Sequence, residues 1–355
     1  MSYCLHPDCC APFNPPAQKI CRSCGSKLLL KVRYRADRLI DRGQFIRLFQ
    51  GIDTHSQNSP LIIKQVLLPK ALLRETRQRK LAIEILHETS EKISRLAAVK
   101  NLQIPLDYVI SGQGLYWIEA PLQGETLTEI LANLPYLSDV QVQKLLQDIL
   151  PAMDALHRQA LVHRAICPDN LIYTSHTGQF ILANLGLTQL VTEALYAEIP
   201  SLVDAAIAEP MYLAPEQLKG RSVPASDFYS LGVVCLQALT GIEPIHLIDQ
   251  GGKIWHYQDF LHDRYINPAF CQILDKMLSP HLINRFLRAE EILRQLNLLP
   301  SSFKEPNPVS NHFKSADILS DFFNQGVRTV TDCVQLIQAA TTGVAGLFLP
   351  GGREE

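Results

Sequence analysis

Four cysteines near the start of the chain constrain most strongly what its first residues can fold into. They follow the spacing C-x4-C-x11-C-x2-C, at Cys4, Cys9, Cys21 and Cys24. Two short-looped pairs of soft ligands suit tetrahedral zinc, and four protein ligands leave no open position for chemistry. A segment of about 26 residues cannot stabilise itself by burial alone, so a metal would supply the folding free energy. The spacing predicts a structural zinc-ribbon-like module over residues 1–26, followed by a short linker over 27–33.

Two nearby side chains, Cys10 and His6, are alternative ligands for the same metal, and a set of loose reduced thiols is the alternative explanation of the whole pattern. Five of the nine cysteines fall within the first 24 residues, unlike a disulfide framework spread along the chain. The first ten residues also lack the apolar segment of a secretory signal. We therefore expect a reducing cytoplasm.

Composition gives no overall charge that would favour nucleic acid or an anionic membrane as a partner, although contact of the C-terminal tail with a membrane stays open. Apolar residues make up 47% and charged residues 19% of the 355 residues, which is typical of a globular protein with a sizeable core. Lys and Arg number 33 against 35 Asp and Glu, a formal net charge of −2. Such a balance creates no overall field that would attract nucleic acid or an anionic membrane. No nucleic acid is expected as a partner.

The stretch 162–170 reads V-H-R-A-I-C-P-D-N and resembles the catalytic loop H-R-D-x-x-x-x-N of protein kinases. In that family the Asp accepts the proton of the substrate hydroxyl and the Asn binds Mg²⁺. His163, Arg164 and Asn170 stand at the family's spacing, but Ala165 replaces the Asp. A methyl group accepts no proton. The resemblance is therefore to a kinase that lacks its central catalytic residue.

The resemblance extends over residues 34–299 and implies an α+β, two-lobed fold of the Ser/Thr protein kinase type. The N-lobe is expected at about 34–119 and the C-lobe at about 122–299. Together with the N-terminal module, this chain resembles the four-cysteine kinases of cyanobacteria. Cys167 stands where the family usually has a Lys near the transferring phosphate, and a thiol is not a fixed cation.

Two positions of the N-lobe match a residual nucleotide site. Of the pattern G-x-G-x-x-G only Gly43 remains, because Asp41 and Ile46 occupy the other two places. Glycines let backbone N–H groups approach phosphates closely, so both changes act against ATP. Lys64, in the apolar run L-I-I-K-Q-V, matches the family's V-A-I-K, whose Lys reaches the phosphates.

The family pairs that Lys with a Glu on a helix, here predicted over about Thr76 to Ala98. Counting back from Gln103 favours Glu91, and Glu88 lies one turn earlier on a similar face. Glu91 is therefore predicted as the partner of Lys64, with Glu88 left open.

Asn184-Leu185-Gly186 occupies the place of the family's D-F-G, whose Asp chelates Mg²⁺. An amide keeps the shape of the carboxylate but not its charge, so affinity for a hard divalent cation should fall sharply. Further on, Glu209 replaces the Thr that normally contacts the catalytic Asp. Binding of ATP and Mg²⁺ is doubtful on these grounds.

The structural landmarks of the C-lobe are retained. Glu216, in A-P-E, is expected to form a buried ion pair with Arg285. Asp227 is expected to hold the backbone of the catalytic loop, where His163 and Arg164 also serve structural roles. Residues that hold the fold are kept, whereas residues that move phosphate are replaced.

Residues 300–355 depart from the family domain and are predicted as a linker and a short helical tail. The stretch 306–311 is linker-like, and apolar residues around Phe322 and Phe323 favour a short amphipathic helix. No residue from 333 to 352 is charged, but glutamines, threonines and glycines make this stretch too polar for a clear membrane span. Contact with protein is preferred over contact with a membrane.

These features favour a catalytically inactive kinase-like protein, a pseudokinase, that acts as a protein-binding or regulatory scaffold. Its expected partner is a protein, with an active kinase as one candidate. Two alternatives remain: a weakly active or unorthodox Ser/Thr kinase, and an ATP-binding sensor without turnover.

Overall fold

The structure is a computed structural model that describes residues 1–43, 46–67, 76–111, 114–186, 190, 209–249, 254–261 and 264–299. A single compact unit spans Met1–Pro300. The predicted linker and helical tail of residues 300–355 lie outside the described residues.

Strands that alternate buried and exposed side chains build the N-terminal part. β5 shows this period of two, because Arg47, Phe49, Gly51 and Asp53 are buried and the residues between them are not. The strands are β1 (Ser2–Tyr3), β2 (Phe13–Asn14), β3 (Leu29–Leu30), β4 (Tyr34–Arg42), β5 (Ile46–Asp53), β6 (Ser59–Val66), β7 (Asp107–Ser111), β8 (Gly114–Glu119), β9 (Glu125–Thr126), β10 (Leu171–Thr174) and β11 (Gln179–Leu182). Among the described residues, β3-β4-β5-β6-β8-β7 form an antiparallel sheet in that order.

Helices dominate the C-terminal part. Ser138 begins the second long helix with a capping box, in which its hydroxyl accepts from the backbone N–H of Gln141. The helices are α1 (Thr76–Ser94), α2 (Leu127–Asn133), α3 (Asp139–Arg158), α4 (Pro224–Thr240), α5 (Pro268–Met277) and α6 (Ala289–Asn297). Nearly every residue of α4 is buried, so α4 lies at the centre of the helical lobe. The two lobes agree with the predicted α+β class.

The N-terminal sheet is covered on both faces. One face contacts the main core, which includes Leu86 of α1 and Trp117 of β8. The other face forms a separate cluster in which Leu5 packs with Phe49 and Tyr116, and Tyr3 packs against it. The first residues of the chain therefore cover a sheet face that would otherwise meet water.

The prediction that residues 27–33 are a linker is wrong. Leu28 is fully buried in a cluster with Cys4 and Cys21, and Leu29–Leu30 pairs with the start of β4. Burial of three consecutive leucines is more favourable in free energy than leaving them in water as a linker. The four-cysteine segment is thus joined to the sheet by packed structure.

A small sheet positions the loops of the site. β10 pairs with β11 in the register Leu171↔Leu182, and β9 pairs with the other edge of β10. The loop 162–170 therefore enters this sheet beside the segment 183–186 that leaves it. Within the described residues, no helix is both long and apolar enough to cross a membrane.

Candidate functional site

The loop 162–170 is fixed by one buried carboxylate from α4. Asp227 accepts hydrogen bonds from the backbone N–H of His163, at 2.7 Å, and of Arg164, at 2.9 Å. Burial acts to raise the pKa of Asp227, but the hydrogen bond and charge of His157 outweigh it and hold that pKa below its usual range. Arg164 adopts a left-handed φ of 68°, a conformation that these bonds hold in place. The expected role of Asp227 is confirmed.

His163 joins this loop to the segment that follows β11. Its Nε2–H donates to the carbonyl of Ala183 at 3.0 Å, and its own carbonyl accepts from the N–H of Gly186 at 2.8 Å. Burial lowers the pKa of His163 to about 4, so the ring is neutral at physiological pH. As expected from the sequence, His163 contributes structure and not charge.

The positions that carry chemistry in the family carry none of its charges here. Ala165 offers only a methyl side chain, and its carbonyl accepts from Asn170 Nδ2 at 2.6 Å. Cys167 is buried, and burial together with the charges of Asp169 and Glu209 raises its pKa to about 12. A protonated thiol stands where the family has a cation. Glu209, which replaces the family's Thr, is near enough for its charge to act on Cys167, and sequence reasoning assigned it no role there.

A chain of hydrogen bonds crosses the cleft between the lobes. Lys64 Nζ donates to Asn184 Oδ1 at 2.5 Å and lies 2.6 Å from Glu119 Oε2. Asn184 Nδ2 donates to Asn170 Oδ1 at 2.7 Å, and Asn170 in turn donates to the Ala165 carbonyl. The polar groups that would meet a nucleotide and its metal are therefore bonded to one another.

This network competes with metal binding. A carboxamide can ligate Mg²⁺ only through its oxygen. The oxygen of Asn184 accepts from Lys64, and the oxygen of Asn170 accepts from Asn184. The ammonium group of Lys64 donates to Asn184 and lies 2.6 Å from a Glu119 oxygen. A nucleotide with its metal must therefore open bonds that already satisfy one another.

The predicted pairing of Lys64 with Glu91 is wrong. Glu91 lies 3.6 Å from His87 on the exposed side of α1, and Glu88 pairs with Lys92 at 2.7 Å on the same helix. The buried face of α1 runs through residues 82, 86, 90 and 93, and Trp117 Nε1 donates to Ser90 Oγ there. Glu91 follows a buried residue directly, so the helical turn of about 100° per residue directs it outward.

The acidic partner of Lys64 comes from β8 instead. β6 and β8 pair with Lys64 opposite Trp117 and Ile62 opposite Glu119. Lys64 and Glu119 are therefore diagonal neighbours on one face of the sheet, within reach of a long side chain. Strand alternation in L-Y-W-I-E places Glu119 on the same face as Trp117. This alternation in the sequence could have predicted Glu119 as the partner of Lys64. The resemblance to the family directed the prediction to the helix instead.

Gly43 remains a prediction as a phosphate-binding position. It lies just after β4, and a Cβ added there would stand 3.0 Å from the carbonyl of Ile46, so this backbone approach favours glycine. Phe45, the residue at the tip of the expected loop, falls outside the described residues.

The predicted ion pair of the C-lobe is confirmed. Arg285 Nη1 and Nη2 donate to the two carboxylate oxygens of Glu216 at 2.6 and 3.0 Å. The Arg285 side chain is fully buried, and Ser226 also donates to Glu216. Burial opposes ionisation of Glu216, but the hydrogen bonds of Arg285 and Ser226 keep its pKa low. This two-fold contact fixes the start of α4 against the loop that precedes α6.

The four predicted cysteines form one cluster. All four Sγ atoms lie within 4.8 Å of one another, with Cys4–Cys24 at 3.4 Å and Cys9–Cys21 at 3.7 Å. A tetrahedral zinc with Zn–S bonds of about 2.3 Å needs sulfurs about 3.8 Å apart, so the arrangement fits that metal. Gly25 adopts the left-handed φ of 73° that the turn after Cys24 requires.

The two alternative ligands lie outside this cluster. Cys10 Sγ contacts Ser23 Oγ, and His6 Nδ1 accepts from the backbone N–H of Asp8. Asn14 Nδ2 donates to Cys21 Sγ at 3.4 Å, an outer contact of the kind that supports thiolate ligands.

A sheet lobe and a helical lobe joined through residues 120–124, with a hydrogen-bonded loop at the cleft, define the two-lobed protein kinase class. The sequence profile described as protein kinase domain matches residues 34–296. This chain therefore belongs to the protein kinase family.

The chain is similar to Ser/Thr kinases of cyanobacteria. The chain is 27% identical over 304 residues to serine/threonine-protein kinase B of Synechocystis sp., with 84% of this chain and 52% of that protein covered. It is 31% identical over 288 residues to serine/threonine-protein kinase PknA of Nostoc sp., with 76% and 48% covered. The chain spans about half the length of these relatives.

Solved structures support the fold alone. The kinase domain of Mycobacterium tuberculosis PknI superposes with a TM-score of 0.55 at 20% identity, with 74% of this chain and 95% of that chain covered. The apo form of PpkA-294 gives a TM-score of 0.54 at 18% identity, with 74% and 96% covered.

Proposed function

We propose that this chain is a pseudokinase, a kinase-fold protein that transfers no phosphate at physiological speed and acts as a regulatory scaffold for a protein partner. The observation that carries the proposal is the hydrogen-bonded chain Lys64–Asn184–Asn170, which ends on the carbonyl of Ala165. Neutral amides and a backbone carbonyl stand where phosphate transfer needs two carboxylates.

The expected losses in reaction rate favour an inactive protein. Loss of a general base typically costs about 10² to 10⁴ in rate, so Ala165 alone would leave a slow enzyme. Asn184 removes the anionic metal ligand in addition, and its oxygen is already occupied by Lys64. Mg²⁺ dehydrates reluctantly and seeks anionic oxygens, so displacing that ammonium is unfavourable. The two losses act on separate parts of the transition state and compound each other.

Retention of Lys64 and Asn170 in the cleft favours a second candidate, an ATP-binding protein with slow or no turnover. The names of the relatives, all Ser/Thr kinases, also support residual use of ATP. The Lys64 ammonium group has three donors, and a phosphate oxygen would suit one of them.

Thermal unfolding with ATP separates these functions, because a ligand that binds only the folded state raises Tm. The scaffold predicts no shift with ATP, whether Mg²⁺ or a chelator is present, and no transfer of radiolabelled γ-phosphate. A shift without metal and without transfer would favour the sensor. Lys64→Met should abolish any shift that arises in the cleft, whereas Lys80→Met, at an exposed position of α1, serves as the matched control.

We propose a structural zinc ion for the four-cysteine cluster. The donor set and the sulfur spacing support it, and all four ligands would come from the protein. Thiolate ligands of zinc suit a reducing compartment, and a cytoplasmic location is proposed with the metal. Elemental analysis of the purified chain should give one equivalent of zinc.

The partner is proposed to be a protein, and an active Ser/Thr kinase is the first candidate. The test is the initial rate of phosphate transfer by an active kinase with and without an excess of this chain. An unchanged rate and no complex by analytical ultracentrifugation would remove that candidate.

A further inference from the structure

Arg47 is a buried cation on the sheet face that the first residues cover. Its side chain lies on β5, and the residue is only 3% exposed. It donates to the carbonyl of Leu5 at 2.5 Å and to Gln65 Oε1 at 2.9 Å. Both acceptors are neutral. Among the described residues, no carboxylate forms an ion pair with Arg47.

A buried charge without a counter-ion is costly, and burial lowers the pKa of Arg47 accordingly. The acceptor Leu5 directly follows the predicted ligand Cys4, and the Cys4 sulfur is among the groups that favour the charged guanidinium. Four thiolates around Zn²⁺ carry a net charge of −2. The loaded cluster would therefore provide the anion that Arg47 lacks.

The same side chain contacts β6 from the sheet face opposite Lys64, because Lys64 and Gln65 alternate along that strand. Gln65 Oε1 accepts from Arg47, and Gln65 Nε2 donates to the Tyr116 hydroxyl at 2.8 Å. Gln65 is fully buried on β6 and is the next residue after Lys64. A path of two hydrogen bonds thus joins the Cys4 loop to the strand that carries Lys64.

We propose that Arg47 is the charge-balancing partner of the four-cysteine metal centre and ties occupancy of that centre to the order of β6. Arg47 is a positioning residue, since it touches neither metal nor nucleotide. This inference rests on the proposed zinc site and extends it to one residue of the kinase fold. Among the described residues, loss of zinc would leave the buried guanidinium with neutral partners, namely the Leu5 carbonyl, Gln65 and the Phe49 ring, and the strand next to it would loosen.

The test compares zinc affinity among full-length variants by competition with a chromophoric chelator. Arg47→Gln keeps a donor but removes the charge, and it should weaken zinc binding by about ten-fold or more, as outer partners of metal ligands typically do. Arg47→Lys keeps the charge and should stay within about three-fold of the parent. Arg35→Gln is the matched control, because Arg35 contacts the same segment through the Pro16 carbonyl, and it should leave affinity unchanged.

Hydrogen exchange gives the second measurement. Chelation of zinc should raise exchange in β6 of the parent and of Arg35→Gln, whereas in Arg47→Gln exchange should be raised already and respond little to chelation. If Arg47→Gln does not fold, Arg47→Lys decides the question. The lysine keeps a positive charge beside the zinc–cysteine cluster, so this variant should still hold zinc. Loss of zinc by Arg47→Lys as complete as by Cys4→Ser would overturn the inference.

The two proposals fail separately. A parent chain that binds zinc tightly, with Arg47→Gln equal to it, overturns the role of Arg47 and leaves the metal site intact. A parent chain that binds no zinc overturns the metal site and, with it, the inference.

Discussion

Lys64 and Glu119 form a nearly buried ion pair across two neighbouring strands, with Nζ and Oε2 at 2.6 Å and side chains that are 14% and 4% exposed. The pair holds the lysine against β8, whereas the glutamates of α1 point to solvent. Among the described residues, the ion pair of Lys64 is thus made within the sheet and not with α1, which carries the acidic partner in the family.

Replacing Glu119 should destabilise the fold measurably. Glu119→Gln leaves the ammonium of Lys64 with neutral amide neighbours and no counter-charge in a site of limited exposure. Removing one member of a buried pair typically costs about 3–5 kcal/mol, and partial solvent access to Lys64 favours the low end. Urea unfolding should show this loss. Glu91→Gln, at the exposed position first predicted as the partner, should leave the midpoint unchanged.

The double variant Lys64→Met with Glu119→Gln checks the cause. If the cost comes from an uncompensated charge, the second substitution should restore part of the lost stability. Equal midpoints for Glu119→Gln and Glu91→Gln would contradict the buried pair.

Short motifs determine the roles of some site residues, whereas packing against the sheet determines the roles of others. Asp227 and Arg285 were predicted correctly because their roles are set by short motifs with fixed backbone neighbours. Glu91 was predicted wrongly because the spacing of charges on α1 does not by itself fix which face is buried. The helix turns toward the sheet through Leu86 and Ser90, and only the packed sheet selects that face.

The sequence also could not predict that the first residues cover one face of the sheet. β1 has two residues, too few to show a hydrophobic period. Leu5 and Tyr3 therefore gave no signal that they pack with Phe49. The burial of Arg47 could not be predicted either, since a lone arginine in a strand usually faces solvent.

Stability should fall as the pH is lowered from about 6.5 toward 4. His163 is neutral and buried, and burial lowers its pKa to about 4 from an ordinary value of about 6.5. Between these values the unfolded chain binds more protons than the folded chain, so protons favour unfolding. The full contribution is about 3 kcal/mol, present above pH 6.5 and lost as the pH approaches 4.

Free energies of unfolding in urea at several pH values between 7 and 4 measure this slope. His163→Gln keeps a donor for the Ala183 carbonyl and removes the titrating ring, so its slope over this range should be shallower than the parent's. Parallel slopes for parent and variant would assign the acid sensitivity to other groups, such as Asp227 and Glu216, whose pKa values are lowered in the fold.

Substitution of Cys4 and of Cys10 provides a test of the metal cluster. Cys4→Ser removes one of four sulfurs that lie together, and zinc content should fall below one equivalent because serine is a poor ligand at neutral pH. Cys10→Ser changes a thiol that contacts only Ser23 among the described residues, and zinc content should stay at one equivalent. Elemental analysis of both variants measures the difference, and equal losses would show that Cys10 is a ligand.

Cys4→Ser should also weaken the packing of Leu5 on the sheet. Thermal unfolding of Cys4→Ser and of the chelated parent should then show similar decreases in Tm. A decrease in the variant alone would separate the cysteine from the metal.

Phosphate transfer should not return when the missing base alone is restored. Ala165→Asp supplies a carboxylate at the loop, but Asn184 still offers the metal a neutral oxygen that accepts from Lys64. The double variant Ala165→Asp with Asn184→Asp supplies both anions, and a carboxylate can bind Mg²⁺ and Lys64 together. We expect transfer of radiolabelled γ-phosphate, dependent on Mg²⁺, from the double variant and none above the parent from the single one.

Ala165→Asn with Asn184→Asp is the control, because asparagine has the shape of aspartate but is a far weaker base. If metal charge and base are both needed, this control should stay near the parent, below the double variant by about 10² or more, as expected for loss of a general base. Activity of Ala165→Asp alone equal to that of the double variant would show that Asn184 already serves the metal. The cleft would then be that of a kinase that lacks one residue, and the bonds among Lys64, Asn184 and Asn170 would open readily for ATP.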